Sequence, residues 1–259
     1  MLWMRFSHDG RHGFGRLDGD HVVVHHGDLF DAPTPTGEVL AASTVTWLAP
    51  CEPGAFVCLW NNFHAAAAKQ SLAIPAEPLW VFKGAAALSA HERPIVAPAP
   101  QVYDGRVVFE GELGIVIGRH CRNVDEADAA DGIFGYTCVN DVTALELIGR
   151  DPAFAQWTRA KSFEGFGPFG PVIATGLDPM ALTVRTLVGG RERQNYPVSD
   201  IVFAPAQIVA RLSREFTLRP GDVIACGTSV GVLPMRDGQV VEVSIEGIGT
   251  LRNTYRSTP

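Results

Sequence analysis

From Val107 to Ile117 the chain reads Val-Val-Phe-Glu-Gly-Glu-Leu-Gly-Ile-Val-Ile, an apolar run that carries two glutamates, Glu110 and Glu112, two positions apart. A β-strand has a side-chain period of two, so both carboxylates leave one face while Phe109, Leu113, Ile115 and Ile117 leave the other. Two unpaired carboxylates aimed into one partly buried space repel each other and carry a large desolvation cost. Protonation of one, or a hard cation between them, relieves both. Ligation by oxygen alone suits magnesium, manganese or calcium better than zinc. The alternative is an edge strand with one solvated face, because antiparallel strands routinely alternate apolar and polar residues.

Downstream, Gly135-Tyr136-Thr137-Cys138-Val139-Asn140-Asp141-Val142-Thr143 reads as a β-branched and aromatic strand that ends in Asn-Asp. Asp141 would therefore emerge at a strand terminus as a third carboxylate. Magnesium takes only a few protein oxygens and leaves octahedral positions for water or substrate, so three acids make a workable ligand set.

Seven segments occur in an order that resembles the fumarylacetoacetate hydrolase superfamily: Glu110-Gly111-Glu112-Leu113, Asn140-Asp141-Val142-Thr143, Ala160-Lys161-Ser162-Phe163, Gly170-Pro171, Pro220-Gly221-Asp222-Val223-Ile224, Gly227-Thr228 and Glu246-Gly247-Ile248-Gly249-Thr250-Leu251. The resemblance runs from about residue 52 to 255. It is to the single-domain bacterial type, similar in pattern to acylpyruvases, fumarylpyruvate hydrolases and isomerase/decarboxylases of ring-cleavage products. It implies an α+β, mainly β chain folded as a mixed β-sandwich roll. It also implies a divalent metal, magnesium or else manganese or calcium, on Glu110, Glu112 and Asp141. Lys161 matches a lysine beside that metal, where it would stay charged and hold an enolate. Gln194 and Thr228, with Gly227 before it, match positions that approach the substrate. Lys83, in Trp80-Val81-Phe82-Lys83-Gly84, matches a segment whose lysine could meet a carboxylate.

Two departures from the family pattern bear on the reaction. Members that hydrolyse C–C bonds carry an N-Y-x-x-H-x-x-E segment whose His and Glu activate water. With His64 read as that His, Trp60-Asn61-Asn62-Phe63-His64-Ala65-Ala66-Ala67 keeps the base and places Ala67 where its Glu belongs. A carboxylate on one imidazole nitrogen raises basicity and fixes the tautomer, so its loss should weaken or redirect catalysis by His64. Many relatives also continue N-D-V-T-A-R-D-x-Q, whereas this chain continues Asn140-Asp141-Val142-Thr143-Ala144-Leu145-Glu146-Leu147-Ile148. An Arg and a Gln are thus replaced by apolar residues. The distal part of the substrate should be less acidic, or Arg159, two residues before Lys161, supplies the missing charge.

The chain can bury one substantial core, with 46% hydrophobic residues among 259. A net charge of −7 without a Lys/Arg block argues against nucleic-acid or anionic-membrane partners. The five cysteines form no C-x-x-C pair, which fits a reducing cytoplasm better than a disulfide or zinc framework. The N-terminus lacks an export signal pattern, and no stretch approaches membrane-spanning length. Relatives are usually dimers, so a homodimer is expected.

Residues 1–50 alternate short apolar runs with turn signals such as Asp9-Gly10 and Asp18-Gly19, predicting a small N-terminal β lobe of hairpins ahead of a catalytic domain over 52–255. Pro33 and Pro35 would loosen the chain near the boundary. Phe56 to Trp60 predicts a buried strand, and Phe63 to Ser71 a short Ala-rich helix. Pro205 to Leu212 predicts a second helix, with Asp200 upstream and Pro near its first turn. The segment from Gly165 to Pro171 reads as a rigid loop supporting Lys161.

The expected function is cleavage of a C–C bond in a small 2,4-dioxo acid, with the metal and Lys161 stabilising enolate charge. His64 would activate the water, and residues 60–71 would gate the site. Isomerisation or decarboxylation of a 2-hydroxymuconate-type acid is the alternative, since neither needs an activated water. A metal-binding protein with little turnover is the third.

Overall fold

The computed structural model describes residues 1–258. Hairpins open the chain: β1 (Leu2–His8), β2 (Arg11–Asp18), β3 (His21–Asp28), β4 (Asp31–Ala41) and β5 (Thr46–Leu48). At the first turn Asp9 and Gly10 both take positive φ, 49° and 75°, the twist a two-residue hairpin requires. These strands do not form a layer of their own. β1 pairs antiparallel with residues further along the chain, Leu2 with Ala174 and Trp3 with Ile173, so they extend the main sheet. Pro33 and Pro35 do not loosen the chain either. They lie within β4, at the sheet edge, where a missing N–H costs no ladder bond.

The second stretch holds β6 (Phe56–Trp60), α1 (His64–Gln70), β7 (Leu79–Lys83), β8 (Leu88–Ser89) and β9 (Ile95–Val96). Then come β10 (Val107–Val108), β11 (Gly111–Ile117), α2 (Glu126–Gly132), β12 (Ile133–Asn140), β13 (Thr143–Ala144) and α3 (Trp157–Lys161). The chain closes with β14 (Gly167–Ala174), β15 (Thr183–Val188), β16 (Arg191–Pro197), α4 (Pro205–Glu215), β17 (Val223–Ala225), β18 (Val240–Ile245) and β19 (Gly249–Arg256). The fold is α+β and mainly β.

The large sheet runs β4-β3-β2-β1-β14-β12-β11-β17-β6-β7, with β5 beside β1 and β8 beside β14. A five-stranded sheet, β16-β15-β18-β19-β9, lies against it, with β15 packing on β11 and β19 on β14. The strand anticipated from the two glutamates is therefore no solvated edge. β11 sits between β12 and β17, and all seven of its residues are buried. The split between faces holds: Phe109, Leu113, Ile115 and Ile117 join the core between the sheets, while Val116 joins a second core with Trp3, Phe56 and Phe169.

The strand over 56–60 and the two anticipated helices are present, and α4 begins with Pro205 at its first turn. Asp200 serves the other helix: its Oδ2 accepts from the Ala65 N–H at the start of α1, 2.9 Å away. α2 and α3 are short and lack a long apolar repeat, so periodicity passed over them. The loop expected over 165–171 is mostly strand, since β14 starts at Gly167 and is buried throughout.

Candidate metal centre

The apolar run that carries the glutamates is broken at Phe109 and Glu110, between β10 and β11. The break keeps Glu110 against the end of β12: its N–H donates to Asn140 Oδ1 at 3.0 Å, and its carbonyl accepts from the Asp141 N–H at 2.9 Å. Gly111 must be glycine here. A Cβ would stand 2.0 Å from Thr186 Oγ1 and 3.0 Å from Gln194 Oε1. Three groups grip this glycine's peptide: Gln194 Oε1 accepts from its N–H at 3.0 Å, and its carbonyl accepts from Tyr196 at 2.6 Å and Thr228 at 2.9 Å. The strand ends thus bring Glu110, Glu112 and Asp141 together, one oxygen of each within 4.8 Å of the other two.

Two buried lysines face these acids. Lys161, at the end of α3, donates to Asp141 Oδ2 and to Thr143 Oγ1 at 2.9 Å, and stands 3.3 Å from Glu110 Oε1. Lys83, at the end of β7, reaches Asp141 Oδ1 at 2.7 Å. Its ammonium also donates to the backbone carbonyls of Val142 at 3.1 Å and Lys161 at 2.7 Å. Burial works against ionisation of Asp141, yet Lys161 and Lys83 together hold its carboxyl below the usual range. Glu112 goes the other way: burial pushes it well above the usual range, and Asp141 and Glu110 push it further. Burial also raises Glu110, against the pull of Lys161. Lys161 itself is buried but stays protonated, because Asp141 and Glu110 outweigh the desolvation.

A divalent cation fits this donor set. The Gly227 N–H donates to Glu112 Oε2 at 2.8 Å, whereas the buried Oε1 has no partner. Two lysines offset two of the three carboxylates, leaving one formal negative charge and one unpartnered oxygen for a hard ion.

A cavity of about 380 Å³ opens above Glu110 and Thr143. Its walls include Trp60, Leu145, Ile148, Trp157 and Thr228, and α1 contributes Ala66 and Lys69. Leu145 and Ile148, the apolar replacements noted in the sequence, thus both face the cavity.

Several expected residues stand elsewhere. His64 is exposed at the first turn of α1 and does not line the cavity. The reason lies in register. With buried Asn62 and Phe63 as the N-Y of the family segment, the His position falls on Ala66 and the Glu position on Lys69, and both of these line the wall. Asn62 fixes that register, donating to the Cys226 carbonyl at 2.8 Å and accepting from the Phe203 N–H at 3.0 Å. Arg159 is exposed, bonded to Gln156 at 3.1 Å, and supplies no charge to the cavity. Lys83 lies beneath Asp141, out of the cavity, and Gln194 and Gly227 brace the acids from behind; Thr228 does reach the cavity wall. Sequence reasoning missed Thr143, whose hydroxyl donates to Glu110 Oε1 at 2.6 Å, and Tyr196. Thr143 sits inside the Asn-Asp-Val-Thr block and could have been found there. The tryptophans Trp60 and Trp157, 5.5 Å apart between ring centroids, carried no local signal.

A carboxylate triad braced by two buried lysines is a set that could hold a divalent metal. The chain belongs to the fumarylacetoacetate hydrolase family: residues 55–256 match the fumarylacetoacetate (FAA) hydrolase C-terminal domain, and residues 1–50 match the Rv2993c-like N-terminal region. It is 41% identical over 252 residues to an uncharacterized protein of Archaeoglobus fulgidus, covering 96% of this chain and 94% of that one. Among solved structures it is similar to 2-hydroxyhepta-2,4-diene-1,7-dioate isomerase from Mycobacterium marinum, with TM-score 0.91 and 35% identity over 100% of this chain and 99% of that one. It is equally similar to 5-carboxymethyl-2-hydroxymuconate delta-isomerase from Mycobacterium smegmatis, with TM-score 0.91 and 36% identity over the whole of both chains. Among the described residues no helix is long and apolar enough to cross a membrane, and all five cysteines are free and buried.

Proposed function

We propose that this protein is a divalent-metal-dependent enzyme that forms an enolate from a small 2-oxo acid or its 2-hydroxy-dienoate tautomer. Isomerisation, or loss of carbon dioxide, comes ahead of hydrolysis. The observation that carries this order is the wall opposite the acids. It presents Ala66 and Lys69, and among the described residues the cavity lining holds no histidine and carboxylate pair to activate water. The similarity to two solved isomerases supports the same order.

Glu110, Glu112 and Asp141 would hold the cation, which supplies a Lewis acid for a chelating 2-oxo acid and for enolate charge. Lys161 keeps its proton and places a positive charge beside that enolate, fixed in advance by Asp141 and Thr143. Lys83 holds Asp141 from below, so the carboxylate does not swing when the site fills. The ionisable side chains on the cavity wall are Glu110 and Lys69. With Glu110 engaged by Thr143 and Lys161, Lys69 Nζ is the group left to hand a proton to carbon; the hydroxyl proton of the dienol passes to solvent, which returns a proton to the exposed Lys69 amine. No water is consumed. Hydrolysis of a 2,4-dioxo acid is the second reading, favoured by the intact acid and lysine centre, and requires a base outside this wall.

The purified protein, loaded with magnesium or manganese, would be given 2-hydroxy-dienoates and acylpyruvates, with Asp141→Ala as control. Loss of dienol absorbance at unchanged product mass, or with loss of carbon dioxide, and absent from the control, supports the reading. Release of pyruvate from acylpyruvates would sink it in favour of hydrolysis.

A further inference from the structure

We propose that the distal half of the substrate is an uncharged, apolar group, a proposal that rests on the 2-oxo acid reading above. Beyond Glu110 and Thr143 the apolar part of the cavity wall is formed by Trp60, Trp157, Leu145, Ile148, Val230 and Val232, and Gln70 is uncharged. Its volume of about 380 Å³ suits a small molecule with its polar groups gathered at one end. A carboxylate carried into the apolar end loses its hydration and gains no fixed cation, a costly transfer. The candidate cations are placed elsewhere: Arg159 is exposed on α3, and Lys83 is sealed beneath Asp141. Lys69 remains, but its side chain is exposed at the cavity mouth, where water already solvates it.

One further group bears on charge. Asn61 lines the same cavity and its Oδ1 is buried without a partner, whereas Ser229 Oγ, also unpartnered, is a hydroxyl that can donate or accept and does not discriminate. Asn61 Nδ2 donates to the Ala73 carbonyl at 2.9 Å, which leaves the unpaired Oδ1, an acceptor that does not favour a carboxylate nearby. A planar or aliphatic hydrocarbon meets no such penalty and gains contact with the Trp60 and Trp157 rings.

The test is calorimetric titration of the magnesium-loaded protein with three non-cleavable acids: pyruvate, 2-oxoheptanoate and 2-oxoheptanedioate. The last two differ only in a distal carboxylate. The expected result is that 2-oxoheptanoate binds about tenfold or more tightly than either of the others. Leu145→Arg should cancel that preference while pyruvate still binds; Leu145→Gln serves if the arginine variant fails to fold. Equal affinities for the two longer acids, or a diacid preference that Lys69→Ala abolishes, would overturn the apolar assignment and leave the 2-oxo acid reading standing. If magnesium binds and none of the three acids does, the 2-oxo acid reading falls and this proposal falls with it.

Discussion

Lys83 Nζ lies 2.7 Å from Asp141 Oδ1, and neither side chain reaches solvent. With Lys161 on the other oxygen, the aspartate is held from both sides by ammonium groups and cannot rotate away from the glutamates. The lysines thus set the geometry of the acids before any ligand arrives.

Replacing Lys83 by Met should therefore cost more than a surface ion pair would. Removing one partner of a buried pair strands the other charge, at roughly 3–5 kcal/mol. Urea unfolding of Lys83→Met, with chelator present throughout, checks the size of the loss.

Glu112→Gln should act in opposite directions on two quantities. The metal-free protein should gain stability, because a neutral amide carries none of the cost that burial and the nearby Asp141 and Glu110 impose on ionising Glu112. Manganese affinity should fall at least roughly 10–100-fold, the loss typical of removing a mere ligand-orienting group. Thermal unfolding with chelator and with manganese, on both proteins, separates the two effects.

Metal uptake should release protons. Glu112 and Glu110 are raised by burial, so the metal-free site keeps protons in a window above the ordinary carboxylate range, and the cation must displace them. Affinity should climb as pH rises through that window. For the metal-free fold the sign is reversed: a raised carboxyl contributes stability that is complete below the unfolded-state value and is lost as pH rises through the folded one. Calorimetry in two buffers of different ionisation enthalpy counts the protons.

Glu146 should show the contrary sign at low pH. Burial opposes its ionisation, but hydrogen bonds from Tyr103 and Arg106 win and hold its carboxyl at about 2. Its stabilisation is present above the ordinary glutamate range and is lost as pH falls toward that value. The side chain is 43% exposed, so screening keeps the effect small. Acid titration of stability in Glu146→Gln should be flatter than in the parent.

Grafting the missing water-activating pair should redirect the reaction. Ala66→His with Lys69→Glu puts an imidazole and a carboxylate one helical turn apart on the cavity wall. Pyruvate release from acylpyruvates should rise about 10²-fold or more if the acids and Lys161 are otherwise competent. No gain would show that more than a base is absent.

The acids were legible because chemistry forced them to be: two glutamates in an apolar run need a reason, and β11 proved buried on both faces. The helix at 205–215 was legible from period and proline. His64 stands outside the cavity, and sequence alone did not show it, because a seven-residue Ala-rich helix offers several registers and Asn62, through contacts with Cys226 and Phe203, fixes the one adopted. Lys83 and Lys161 look alike in sequence. Their division into a support beneath Asp141 and a charge shared by Asp141, Glu110 and Thr143 depends on where β7 and α3 end in space. The tryptophan wall joins residues from β6 and α3, and no local pattern announces such a meeting.

The bond from Asn62 to the Cys226 carbonyl joins residues 164 positions apart, and β6 pairs in parallel with β17 along the same seam. Closing so long a loop costs entropy before any contact rewards it, so parallel pairing of this kind is slow to form. The seam that carries α1 and Gly227 to the acids cannot close until residues near 226 have left the ribosome. The centre is therefore expected to be among the last parts of the molecule to assemble, with its carboxylates hydrated until then.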